Sequence, residues 1–161
     1  MMTPAEAVAA LLRIMPKPLS VELLEEYGIT VSESDIQVIS REIVSLNVYW
    51  ILAAIDAHIP LKYRAAIIDP LVESVKRTWW ETGGLGSGTW EAYRQELDER
   101  RAEYGHLVDY EGMNHMAVSA EAASRIEDHG GISSEDRSKL LVLLIDHAPA
   151  AEYGKLLEGA A

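Results

Sequence analysis

The chain has 161 residues, 48% of them apolar, no cysteine, and 26 acidic against 14 basic side chains for a net charge of −12. That length suits a single domain, 1–161, with a core of its own. The composition excludes disorder, a disulfide scaffold, a thiolate metal site and a cysteine nucleophile.

The opening Met1-Met2-Thr3-Pro4-Ala5-Glu6 reads as a helix start rather than a signal peptide, with a cap at Thr3, proline at the first helical position and an acid at the third. The helix is expected to reach about Met15 and to stop at Pro16-Lys17-Pro18. Ser20 caps a second, Val21 to Tyr27, with Gly28 as its left-handed stop.

Ser32, with Asp35 three residues on, caps the third and strongest element, residues ~33–59. Its seam runs Ile36, Ile39, Ile43, Leu46, Trp50, Ala53, Ala57, and every residue from Val48 to Ile55 is apolar. A helix apolar all round is buried on several sides, so it is the central helix or a shared subunit interface. The longest uncharged apolar-rich stretch, residues 43–55, is short of the roughly 20 residues that cross a bilayer. A soluble cytoplasmic protein with no membrane partner is expected.

After Pro60 a second seam runs Leu61, Ala65, Ile68, Val72, Val75, Trp79, keeping phase through Pro70, which predicts a kink rather than a break. The glycine-rich loop 82–89 reads as a flexible linker and a candidate subdomain division. Thr89 then caps a helix with Trp90, Tyr93, Leu97, Arg100 and Tyr104 on one face, ended by Gly105. Asp109 is expected to cap the next, to about Asp128, stopped by His129-Gly130-Gly131. Ser133 and Asp136 cap a helix containing the apolar run Leu140–Ile145, and Pro149 starts a short last one. The fold expected is all-α, a bundle of about six to seven helices around the central one.

Six features bear on function. His106, Asp109, Glu111 and His115 are the candidate metal set, with Glu111 and His115 four apart on the expected helix and so on one face; a divalent metal there would serve a small hydrolase. The competing reading makes Asp109 a cap and Glu111–His115 a surface pair. The glycine loop lacks the lysine and the spacing of a phosphate loop. Residues 4–45 imitate a helix-turn-helix, but the would-be recognition helix opens Glu33-Ser34-Asp35 and carries only Arg41 as a base. With no basic patch anywhere, no DNA or RNA partner is expected. Asp128-His129 and Asp146-His147 read as helix-terminal residues. Glu96, Glu99 and Glu103 read as a solvated face with a Glu96–Arg100 pair, not a magnesium site.

The sixth feature is aromatic. Neighbours Trp79 and Trp80 cannot both enter one core, so Trp79, Trp80 and Trp90 around the loop, with Trp50 on the central helix, are the interface candidates. With no convergent reactive set and no cofactor predicted, the function expected is a non-enzymatic protein-interaction or regulatory module, a homodimer or a binder of another protein. The alternatives are the metal or carboxylate hydrolase and an acidic nucleic-acid mimic that occupies a basic partner. The last rests on the half from residue 81 onward, with 16 acids against 7 bases.

Overall fold

The computed structural model describes residues 2–159. Its helices are α1 Pro4–Ile14, α2 Val21–Glu26, α3 Glu33–His58, α4 Leu61–Val75, α5 Trp90–Asp109, α6 His115–Asp128, α7 Arg137–His147 and α8 Ala150–Glu158. No strand occurs among the described residues, and the fold is an all-helical bundle with α3 central.

The starts are set by side-chain caps. Thr3 accepts from the Glu6 amide, Ser20 from Leu23, and Ser32 and Asp35 exchange bonds in a capping box. Thr89 accepts from Ala92. Gly28 and Gly130 take φ of 78° and 77° at the ends of α2 and α6, a conformation that side chains with a Cβ resist.

Two hydrophobic clusters lie on different sides of α3. One joins Leu11, Val48, Ile51, Ile55, Leu71, Val75, Trp79, Leu97 and Leu157. The other joins Leu24, Ile39, Ile43, Leu46, Val118, Ala122, Ile126, Leu140 and Leu144. Helix α3 is long and apolar enough to cross a membrane, and 78% of that apolar stretch is buried inside the bundle. The apolar excess that suggested a helix shared between subunits is covered by helices of the same chain. Across the glycine loop the first cluster is continuous, from Trp79 before it to Tyr93 after it, with Leu85 of the loop itself fully buried. Leu85 thus anchors a loop that is otherwise mostly exposed to the first cluster.

Three local expectations change. Helix α4 runs unbroken through Pro70, but the face it buries is Ile67, Leu71, Val75 and Trp79, while Leu61 is 77% exposed. Its end widens into a π turn, Lys76–Trp80, closed by the Glu81 amide on the Lys76 carbonyl. The wider turn advances fewer degrees per residue, which keeps Trp79 in line with Val75. Helix α5 continues through Gly105 to Asp109, so Asp109 ends that helix instead of capping the next. The left-handed glycine is Gly112 (φ 67°), and the cap of α6 is Asn114, which accepts from the Ala117 amide. Ser134–Asp136 form a short 3-10 turn ahead of α7, and Ser133 before it makes no side-chain cap bond.

Buried polar groups on α3 fix its neighbours. Asn47 is fully buried; its amide donates to the Ile43 carbonyl (2.8 Å) and the His147 carbonyl (2.7 Å), and its oxygen accepts from the Tyr153 hydroxyl (2.6 Å). The junction of α7 and α8 is thus pinned to α3. Replacing Asn47 with alanine strands two of those partners, and should cost about 2–3 kcal/mol in urea unfolding with an unchanged m-value. The Tyr27 hydroxyl of the α2 C-cap donates to Asp146 of α7 at 2.7 Å. That bond, then burial and nearby carboxylates, pushes its ionisation from 10.0 up to about 12. A raised folded value means that the neutral phenol stabilises the fold fully below pH 10 and that this contribution is lost as pH rises towards 12. Tyr27→Phe should flatten that alkaline loss in a stability-against-pH series.

Candidate functional site

Helices α3 and α5 meet along a line whose two ends differ. At one end the contact is closed by charge and aromatic stacking. Arg41 forms a two-pronged pair with Glu96 (3.1 and 3.2 Å) and donates to the Leu85 carbonyl at 2.8 Å. Gln37 reaches the Gly83 carbonyl at 3.3 Å. The Arg41 guanidinium lies 4.9 Å from the Tyr93 ring centre, and Trp80 stacks on that ring at 5.3 Å. Trp90 leans on both rings at 6.2 and 5.9 Å.

In the middle Glu42 is buried and accepts from Arg100 (3.0 Å) and from the Tyr104 hydroxyl. Arg100 also reaches Glu103, which pairs in turn with Arg125 of α6. Burial works to lower the Arg100 pKa, and the charge and hydrogen bond of Glu42 outweigh it, so the guanidinium is held charged. Burial and the Glu42 carboxylate push the Tyr104 phenol well up.

At the far end the helices part and leave an open cleft of about 860 Å³. Its lining includes small residues, Ala53 and Ala57 from α3 and Ala102 and Gly105 from α5. Its walls carry Asp56, Asp98, Arg101, His106 and Asp109, and Tyr49 and Tyr110 complete it. Arg101 is committed to Asp56 at 2.8 Å, and Arg94 to Asp98 at 2.6 Å. His106 stacks on Tyr110 at 5.0 Å. Burial raises the Tyr49 pKa first, the Asp109 charge adds to this, and Arg101 opposes it.

The four expected metal-binding residues are divided between places. His106 and Asp109 face this cleft, Glu111 lies exposed in the turn after α5, and His115 opens α6 beside another cavity, with Asp146 and Glu152. Because a turn separates Glu111 from His115, the shared helical face assumed for them does not exist. Among the described residues no three His, Asp or Glu side chains are grouped to hold a metal.

The tryptophans separate as well. Trp79 is 2% exposed and belongs to the core, Trp50 is half-buried between the two clusters, and Trp80 and Trp90 are half-buried and engaged with Tyr93. Glu99 and Glu103 are exposed as expected, Glu103 pairing with Arg100 and Arg125, while Glu96 pairs with Arg41, and Arg100 turns to Glu42 instead of Glu96. His129 and His147 sit at helix ends, each ring bonded to the carbonyl four residues earlier (2.7 and 2.9 Å).

No family model, curated protein or solved structure matches this chain. Function has to be argued from the cleft itself.

The sequence reading missed the cleft. The signal was Tyr49, Ala53, Asp56 and Ala57, a polar and small-residue edge on an otherwise apolar helix, opposite Asp98, Ala102, Gly105 and Asp109 at similar steps. Pairing the two edges required knowing that α3 and α5 are neighbours. Arg100→Met leaves Glu42 buried with a single partner, and should destabilise the fold by about 3–5 kcal/mol, with part of the loss restored in the Glu42→Gln double variant.

Proposed function

We propose that this chain is a non-enzymatic interaction module that takes a basic segment of a partner protein into the α3–α5 cleft. The observation that carries the reading is the cleft, lined by three aspartates against one arginine and by the small residues Ala53, Ala57, Ala102 and Gly105. Asp56 and Asp98 already have cationic partners, whereas Asp109 has none among the described residues. A cationic side chain from outside would complete it.

The net charge of −12 favours the same partner. It draws a basic protein in from a distance and speeds encounter, and it repels a second copy of this chain. The acidic-mimic alternative shares that electrostatic preference; the cleft adds a defined place for contact. The hydrolase alternative has less support, because Glu111 and His115 lie away from the cleft that His106 and Asp109 line. Trp80 and Trp90 are spent largely on packing against Tyr93 and Arg41, so a role for them in partner contact is secondary.

The test is titration of the full chain with an arginine-rich peptide. Affinity should fall steeply between about 20 mM and about 0.5 M salt as charges are screened. The double variant Asp98→Asn, Asp109→Asn should slow association and flatten that salt dependence. Absence of binding at low salt, or binding indifferent to salt, would overturn the reading.

A further inference from the structure

We infer that the cleft contains a subsite for one alkyl-borne cation, an ammonium or guanidinium, seated between the Tyr49 hydroxyl and the Asp109 carboxylate over Gly105. The inference rests on the basic partner proposed above and names the group that this partner would insert.

Tyr49 is the first observation. It is only 6% exposed, it lines the cleft, and its hydroxyl has no hydrogen-bond partner among the described residues. The ring is buried while the hydroxyl keeps access to the open cleft, so its oxygen is free to accept from a cation that enters. The ring is packed edge-on to Tyr104 at 5.7 Å and to Trp50 at 4.9 Å, which limits where its hydroxyl can go along the cleft.

Asp109 is the second. Of the three aspartates it alone has no ion-pair partner among the described residues, since Asp56 is held by Arg101 (2.8 Å) and Arg64 (3.4 Å) and Asp98 by Arg94 (2.6 Å). The Asp109 charge raises the Tyr49 pKa, so the two groups act on the same space. An ammonium or guanidinium donates to both, pairing with the carboxylate and giving the phenol oxygen a donor.

Gly105 is the third. It lies inside α5 with φ in the ordinary helical range, where glycine costs roughly 1 kcal/mol relative to alanine. A Cβ there would touch only the edge of the Tyr49 ring, at 3.9 Å, which is ordinary contact. The fold does not require glycine at this position; what glycine does is keep the cleft open between Tyr49 and Asp109. At the mouth Tyr110, 82% exposed and stacked on His106, offers an aromatic face to the alkyl chain or to the cation.

The test uses the full chain with two probes, an arginine-rich peptide and free spermidine, followed by calorimetry and by amide shifts in NMR. Three variants are compared: Tyr49→Phe, Gly105→Ala and Gly105→Leu. Thermal unfolding keeps the comparison clean, because Gly105→Ala should raise the melting temperature and so separates loss of binding from loss of fold. Tyr49→Phe should weaken the peptide about tenfold, in line with loss of a hydrogen bond to a charged group. Gly105→Leu should abolish binding, with the parent's largest shifts at Gly105, His106 and Asp109. If the peptide binds the parent but is indifferent to Tyr49→Phe and Gly105→Leu, the subsite is wrong and the basic-partner reading stands. If the peptide does not bind the parent, that reading falls, and the subsite falls with it unless spermidine binds. Spermidine bound more tightly than the peptide, with the same response to the variants, would uphold the subsite and replace a protein partner with a free polyamine.

Discussion

A helix enclosed by the rest of the bundle carries polar groups into the interior that need partners there, and on α3 Glu42 and Asn47 find theirs on neighbouring helices. Asn47 and Glu42 are five residues apart, about 140° around the helix, so they face different neighbours. Asn47 is bonded to the junction of α7 and α8, and Glu42 to Arg100 and Tyr104 of α5. Apolar contact alone would let the surrounding helices slide or rotate with little change in buried area. These bonds do not, because a small shift would strand a buried carboxylate or amide. The register of the bundle around α3 follows from them.

The position of α5 is the consequence that matters for function. Arg41 and Glu42 hold its first half close to α3, and Arg41 uses its remaining donor to bind the loop through the Leu85 carbonyl. Beyond that clamp the facing residues become small, with Ala53 and Ala57 opposite Ala102 and Gly105. Small residues on both sides would let helices close up if nothing else prevented it. Here Tyr49 and the aspartates occupy the edges and the clamp fixes the approach, so the space remains open as a cleft. The rigid part of the contact and the open part are two halves of one interface.

Charge is distributed on the same logic. Two of the six acidic residues of α5 pair across helix boundaries, Glu96 with Arg41 of α3 and Glu103 with Arg125 of α6. Pairs with both partners largely covered hold geometry, whereas exposed pairs such as Arg94–Asp98 contribute little to stability. Of the α5 carboxylates without an ion-pair partner among the described residues, Asp109 is the one that lines the cleft.

What the sequence determined by itself were the features set by neighbours along the chain. The caps at Thr3, Ser20, Ser32 and Thr89 need only three residues of context, and the left-handed stops at Gly28 and Gly130 only one. The all-α class and the central place of α3 follow from its period and its apolar length. Gly105 misled because a glycine in a helix and a glycine that ends one look alike in sequence; the choice fell to Gly112 and Asn114, which together build the turn. The metal set was carried by that misplaced boundary, since a four-residue spacing has meaning only within one helix. The glycine loop looked mobile because its glycines are permissive, and it is held by Leu85 in the core and by Arg41 and Gln37, both more than 40 positions away. Only the tertiary structure decided the cleft: its residues come from two helices whose separation in sequence says nothing of their contact, and it exists because buried charge on α3 holds α5 at one end and small side chains leave it free at the other.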